Sequence, residues 1–397
     1  MNLLHNNDVN SGEPADKIKI LLASSLHRWN DVRIFHKEAS SLAVKYDVTV
    51  MGVTSESISN SGEIRILTLP RPTSLLRRFL NGCKILEEGV SGGYAIFHFH
   101  DPELLWVGFM VKLFRIKVIY DVHEDTRAAA QIREWIPQLL RGILGGLVHV
   151  FELFGQWIFN GVILAEDSYF SNFPANNKTV AIRNYVRVDD SALHFRNQSK
   201  RILYAGSVTV ARGIGDLLDA VAILQREDPE IGATIIGSGP ADDKKELEEL
   251  RSRLPDPASI EFIDYIDFGK LKELAQNYYL AVVPLRRTKN YERSIPTKIL
   301  DYMNWGLPFV YSRLPLTEEL FGQHSGGVGF EPGDVEDLAR NLRRLLTEKN
   351  LYDQLRNEGK SKVGRFDWSS EEKTLLKLYD RVLGKSEGVI RSVAPKV

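Results

Sequence analysis

Short apolar runs alternate with longer stretches of helical period along most of the chain, and each change of period marks a strand or a helix. Lys17–Ala23 predicts a first strand that runs into a polar loop, Ser24–Asp31, ahead of a helix over about Val32–Val44. Further strands are expected at Asp47–Met51, Arg65–Leu69, Tyr94–His100 and Lys117–Val122, with helices over Arg77–Glu88 and Leu104–Phe114 between them. Gly161–Ala165 and Val180–Tyr185 close a first half. After the polar stretch Val188–Lys200 the pattern restarts with a strand at Arg201–Gly206 and a helix over about Ile214–Arg226. Strands at Ala233–Ile236, Ile260–Ile263, Leu280–Pro284 and Leu307–Tyr311 follow, and helices over Val335–Leu346, Leu351–Val363 and Trp368–Leu383 end the series. Strands alternating with helices imply parallel sheets covered on both faces. The expected fold is α/β, with two Rossmann-like doubly wound domains, 1–190 and 198–364, facing across a cleft. A last helix at about 366–385 is expected to pack back on the first domain.

Residues 138–165 form the most apolar segment and exceed the roughly 20 residues that a bilayer span requires. His149, Glu152, Gln156 and Asn160, however, recur three and four apart, which gathers polar groups on one face of a helix. The expectation is an amphipathic helix whose apolar side packs in a core. Arg71, Arg77, Arg78, Arg133 and Arg141 leave a peripheral membrane contact through the first domain open.

Composition narrows the classes. The chain has 397 residues, 43% hydrophobic and 26% charged, with a net charge of −1, so it has room for two cores and no basic field to hold nucleic acid. Cys83 is the only cysteine, which excludes an internal disulfide and a cysteine-rich zinc site and fits a reducing cytoplasm. The opening MNLLHNNDVNSGEPAD is polar and reads as a tail, not a signal peptide, and the stretch from Arg391 reads as a frayed tail.

Candidate chemistry sits at strand ends and at one helix start. Ser294-Ile295-Pro296-Thr297-Lys298 opens a helix in which Ser294 or Thr297 can cap, Pro296 is tolerated in the first turn, and Gly306 can end the helix in a left-handed turn. Free amides and the positive end of the dipole there suit a phosphate, and Lys298 adds a full charge. Asp301, one turn in, suits a ribose hydroxyl, although its spacing equally allows a pair with Lys298 on a solvated face. The loop Gly206-Ser207 to Arg212-Gly213 contributes a second cation, and Gly237 begins a further glycine turn. His100 and Asp101, and His123, Glu124 and Asp125, close two adjacent strands and can bind hydroxyls or carry a proton. The P-loop and zinc-helix signatures and an Asp-x-Asp clamp do not occur, so phosphate neutralisation falls to the chain's own cations and no metal is expected.

These residues, taken in order, resemble the family 4 retaining glycosyltransferases of the GT-B fold, in a bacterial subgroup, over nearly the whole chain. The motifs that carry the resemblance are HRWNDVRIFHKEASSLAVKYDVTV, HFHDPELL, YDVHEDT, YAGSVTVARGI, SIPTKILDYMNWGLPFV and FDWSSEEKTLLKLYDRVL. The resemblance implies transfer of a sugar from a nucleotide diphosphate sugar, the donor, to a hydroxyl on a glycan, polysaccharide or lipid-linked acceptor, with no permanent cofactor. His123 would stand beside the donor sugar, Arg212 and Lys298 would hold the diphosphate, and Asp301 would replace a ribose-binding glutamate. Two departures stand out. Arg293 occupies the position of the motif's first glutamate, with Glu292 one residue off, and Ser207 occupies the position of a basic residue. A nucleotide-sugar epimerase on the same fold and a catalytically silent sugar-nucleotide-binding subunit are the competing readings. The expected location is cytoplasmic, with contact at the inner face of the plasma membrane left open.

Overall fold

The computed structural model describes residues 17–56, 58–132, 137–174, 176–189, 199–323 and 325–385. The N-terminal tail, Arg133, most of the polar linker before Lys200 and the stretch from Arg391 lie outside the described residues.

Two sheets organise the molecule. The first contains β1 (Lys19–Arg28), β2 (Asp47–Val53), β3 (Asn60–Ser61), β4 (Ile64–Leu69), β5 (Ile96–Phe99), β6 (Lys117–Val122), β7 (Gly161–Leu164) and β8 (Thr179–Ala181), in the order β3-β4-β2-β1-β5-β6-β7-β8. Its registers run parallel from Lys19↔Asp47 and Ile20↔Ile96, and the short β3 pairs antiparallel with β4. The second contains β9 (Arg201–Ala205), β10 (Gly232–Ile236), β11 (Ile260–Ile263), β12 (Leu280–Val283), β13 (Phe309–Ser312) and β14 (Gly327–Phe330), in the order β11-β10-β9-β12-β13-β14. All its pairs are parallel. Ile20, Leu21 and Leu22, like Leu203, Ala281 and Val282, are fully buried, as strands covered by helices on both faces must be. In both sheets the order reverses beside the first strand, which is where doubly wound proteins open a crevice at the strand ends.

The helices are α1 (Ser40–Ala43, continuing a π-helical segment Val32–Ala39), α2 (Leu75–Ser91), α3 (Leu105–Leu113), α4 (Thr126–Ile132), α5 (Gln138–Ile158), α6 (Ile214–Gln225), α7 (Ala241–Arg251), α8 (Phe268–Ala275), α9 (Thr297–Trp305), α10 (Pro315–Phe321), α11 (Val335–Thr347), α12 (Lys349–Lys362) and α13 (Trp368–Val382). The chain divides into two compact units, Met1–Asp121 with Gly155–Val162, and Val122–Phe154 with Ile163–Val397. Within the second unit, α13 is fastened to residues 183–188: Arg183 donates from Nη1 to Glu371 Oε1 (3.1 Å) and from Nε to Asp167 Oδ2 (2.6 Å), and Trp368 N–H donates to the Val186 carbonyl (2.8 Å). Burial opposes the Arg183 charge, yet Asp167 and Glu371 together hold its pKa above the ordinary value.

Two expectations need correction. The segment Ser24–Arg28 is strand, not loop: β1 continues past an irregularity after Ala23 to pair Arg28 with Val53, because Ser24 and Ser25 find hydrogen-bond partners in Asp101. The helix α5 is amphipathic as expected but faces the other way. Glu152 (1% exposed), Gln156 and His149 are buried, whereas Leu139, Ile143 and Trp157 face solvent. The cause is a buried polar cluster in which Thr126 Oγ1 donates to Glu152 Oε1 and His149 Nδ1 lies 3.3 Å from Glu152 Oε2. A carboxylate removed from water must keep its partners, so it fixes the rotation of the helix.

Candidate functional site

In the second sheet the crevice is lined by three loops whose backbones touch. Gly206 N–H donates to the Ile236 carbonyl (2.9 Å) and Val208 N–H to the Ser238 carbonyl (2.9 Å). These approaches require glycine. A Cβ on Gly213 (φ 73°) would lie 1.7 Å from the Pro284 carbonyl oxygen, and one on Gly237 (φ 149°) 1.7 Å from that of Gly206. Ser207 is exposed beside them, and Thr209 Oγ1 accepts from Arg212 N–H, closing the turn that presents Arg212. The Arg212 guanidinium lies 5.5 Å from the centre of the Tyr291 ring, and burial pushes the nearby Tyr204 hydroxyl up to about 12 against the pull of Arg212.

The next element is α9. It begins at Thr297 with Pro296 just before it, and neither Ser294 nor Thr297 caps it through a side chain, a correction to the expected cap. Its C-terminus behaves as expected, with Gly306 in the left-handed conformation (φ 66°). Tyr302 on the buried face accepts from Ala205 N–H (3.2 Å), which locks the helix to the end of β9. Lys298 Nζ lies 3.4 Å from Asp301 Oδ2, so the two residues do pair. The pair is not solvated, since Asp301 is buried and Lys298 half-buried.

A run of contacts in the second unit connects α9 with the end of β6. Ile295 N–H, at the start of the helix, donates to Glu166 Oε1 (3.0 Å), and Ser168 Oγ donates to the Arg293 carbonyl (2.8 Å). Arg293 Nη2 in turn reaches Ser171 Oγ at 3.3 Å, and Glu292 pairs with Arg287. From the same segment, Tyr169 Oη donates to the His123 carbonyl (3.4 Å) and Asn172 Nδ2 to Asp125 Oδ2 (2.9 Å). Burial, Glu166, Glu124 and Asp125 all push the Tyr169 hydroxyl above its ordinary range. His123, Asp125, Ile295 and Arg293 are thus joined through residues 166–172. Glu166 was missed in the sequence, though it follows a strand end just as His100 and His123 do.

His100 and Asp101 lie elsewhere, in the first unit, and are closed to solvent. Asp101 Oδ2 accepts from Ser24 Oγ (2.8 Å), Ser25 N–H (2.6 Å) and Ser25 Oγ (3.1 Å). His100 Nδ1 is 3.3 Å from Asp121 Oδ2 and 3.9 Å from Glu38 Oε2, and the His98 ring lies against it, tilted by 36°, with centroids 4.5 Å apart. Glu38, His98, His100 and Asp121 offer ligand atoms within 4.8 Å of one another, the spacing of a cation site. Arg33 already supplies a cation there, donating to Asp121 from Nε (2.8 Å) and Nη2 (2.9 Å) and lying 3.1 Å from Glu38. Burial, with Asp121 beside it, raises the Glu38 pKa well above its ordinary value against the opposing pull of Arg33.

Residues 199–348 match the family described as glycosyl transferases group 1. Among curated relatives, a sulfoquinovosyl transferase of Arabidopsis thaliana is 26% identical over 187 residues, 44% of this chain and 34% of its own length. An uncharacterised glycosyltransferase of Haemophilus influenzae is 24% identical, over 44% of this chain and 47% of its own. The matched stretch therefore spans half or less of either protein. A phosphatidyl-myo-inositol mannosyltransferase of Mycobacterium tuberculosis is 22% identical over 75% of this chain and 76% of its own. Of solved structures, a sucrose-phosphate synthase from Thermosynechococcus elongatus superposes with a TM-score of 0.74 at 17% identity, over 93% of this chain and 100% of that one. HepE of Anabaena, in complex with UDP and glucose, superposes with 0.66 at 14%, over 91% and 99%. At such identities the structures establish the fold. Residues 199–348 are thus similar to the glycosyl transferases group 1 family, and the chain's α/β fold, with two parallel-sheet Rossmann-like domains, matches that of GT-B structures such as the sucrose-phosphate synthase.

Proposed function

We propose that the chain transfers a sugar from a nucleoside diphosphate sugar to a hydroxyl of a glycan or lipid-linked acceptor, with retention at the anomeric carbon, as a family 4 glycosyltransferase. The observation that carries this reading is the start of α9, which has no side-chain cap and has Lys298 in its first turn, in the sheet whose glycine loop presents Arg212. Dipole, amides and two cations suit a diphosphate that gains charge as it departs, and charge held in place beforehand stabilises such a transition state best. The chain's own cations do this work without a metal. Ligands named for the relatives, UDP among them, support the same class of donor. Asp301 holds the ribose and Lys298 through its two oxygens, and His123 with Glu124 serves the sugar. His100 and Asp101, at the end of β5, are the further groups proposed to bind hydroxyls or carry a proton.

The proposed parts are an acceptor-side domain at 1–190 and a donor-side domain at 198–364, in a cytoplasmic protein with peripheral membrane contact. The test is a thermal-shift panel of nucleoside diphosphates and their sugars, in which ligand at 100 times its dissociation constant adds about 2.7 kcal/mol. Product analysis with a hydroxyl acceptor follows. Release of the nucleoside diphosphate with a new glycosidic bond is expected. Interconversion of sugars without release would point to an epimerase, and binding without turnover to a silent subunit.

A further inference from the structure

The inverted helix α5 says where membrane contact would be made. Leu139, Ile143, Leu147, Val150, Phe154 and Trp157 form a continuous stripe at helical spacing, and Leu139 is 91% and Trp157 74% exposed. With 21 residues α5 is about 32 Å long at 1.5 Å per residue. Apolar surface on that scale is unusual on a protein that stays in water. The rotation is set from the inside, because Glu152 and His149 hold each other and Thr126 on the buried side.

We infer that this stripe lies along an anionic lipid surface. Charge is the first argument. In α4 and α5 together Glu152 is the only acid and it is buried, while Arg127 is exposed and Arg141 half-buried. Arg127 belongs to the α4 segment that packs on α5, its Cα 3.5 Å from where a Cβ on Gly145 would stand. In a chain with about as many acids as bases, a long exposed face whose described residues carry cations and no exposed carboxylate complements a negative surface. Hydrogen bonding is the second argument. Protein interfaces carry roughly one hydrogen bond per 100–200 Å². Leu139, Ile143, Leu147, Val150 and Phe154 carry no hydrogen-bonding group, and Trp157 completes the stripe as an aromatic anchor of the kind found at a headgroup boundary. Among the described residues no helix is long and apolar enough to cross a membrane, so α5 lies in the surface plane. The first unit independently repeats the pattern: α2 exposes Leu75, Leu76 and Phe79 beside exposed Arg71 and Arg77, with no acid between Pro70 and Leu86.

The inference deepens the proposed membrane contact and does not depend on sugar transfer. It is tested by flotation of the full chain with vesicles of phosphatidylcholine alone or mixed with phosphatidylglycerol. Binding to the anionic vesicles is expected, weakening as salt shortens the screening length from about 10 Å at 0.1 M to about 3 Å at 1 M. A Leu147→Glu/Phe154→Glu variant should lose roughly tenfold or more of its partitioning at an unchanged melting temperature. Should that variant misfold, Arg127→Gln/Arg141→Gln, which leaves the stripe intact, should reduce binding to the anionic vesicles alone. No flotation with either vesicle overturns the inference, as does undiminished flotation of folded stripe and arginine variants. It is equally overturned by a concentration-dependent dimer that the stripe variant abolishes, which would assign the face to a second copy. Nucleoside diphosphate binding measured on the same preparations reports separately on the transferase reading.

Discussion

Glu166 occupies the amide that an anionic ligand at α9 would use, and Glu166→Gln measures that competition. The carboxylate is 8% exposed and accepts from Ile295 N–H at 3.0 Å, so solvent screens it little. A hydrogen bond to a charged group contributes about 1.5–3 kcal/mol and a neutral one about 0.5–1.5, so glutamine, which keeps length and shape, should weaken the clasp by about 1 kcal/mol. Loss of a negative charge at a helix N-terminus acts in the same direction by roughly 0.3–1 kcal/mol. If a diphosphate displaces Glu166, its affinity should rise by about fivefold, since tenfold corresponds to about 1.4 kcal/mol. Titration calorimetry of a nucleoside diphosphate against both proteins, at low and moderate salt, reads this directly. Unchanged affinity would separate the ligand from the Ile295 amide. Weaker affinity would show that the carboxylate supports the ligand and does not compete with it.

Arg212→Ala and Lys298→Ala should each weaken nucleoside diphosphate binding by about 1.5–3 kcal/mol in the same calorimetry, and unchanged affinity in both would remove them from the site. His123→Ala should leave bare nucleotide binding intact while transfer falls by roughly 10²–10⁴-fold, whereas a parallel loss of melting temperature and binding would mark a structural histidine. Glu38 titrates the fold. Its raised pKa means that the native state keeps a proton the unfolded chain sheds above the ordinary value of 4.5. That stability is fully present below 4.5 and is lost, at up to about 1.4 kcal/mol per pH unit, as pH rises toward the folded value. Glu38→Gln should flatten this slope in denaturant titrations, and parallel profiles would show that Glu38 is already ionised. Gly213→Ala should destabilise the second sheet's glycine loop by more than the roughly 1 kcal/mol of an ordinary glycine replacement, because its Cβ meets the Pro284 carbonyl; an unchanged melting temperature would contradict the geometry.

The periodicity of the chain was enough to give most strands of both sheets and the parallel sense of their central pairs, because a strand buried on both faces reads as a short apolar run. It missed β3, β14 and the helices α4, α7, α8 and α10, whose segments are short or polar and are held by tertiary neighbours. The left-handed end of α9 at Gly306 was legible, since a backbone conformation that disfavours side chains leaves its mark in one residue type. Side-chain partners were not. His100 and His123 look alike in the sequence, and only the fold buries the first against Asp121 and Glu38 while joining the second to Tyr169. The face that α5 presents was likewise beyond the pattern. Amphipathicity gives two faces without saying which is inside, and in this helix the partners of a single carboxylate, Glu152, decided it, because burying an unpaired charge costs more than exposing apolar surface.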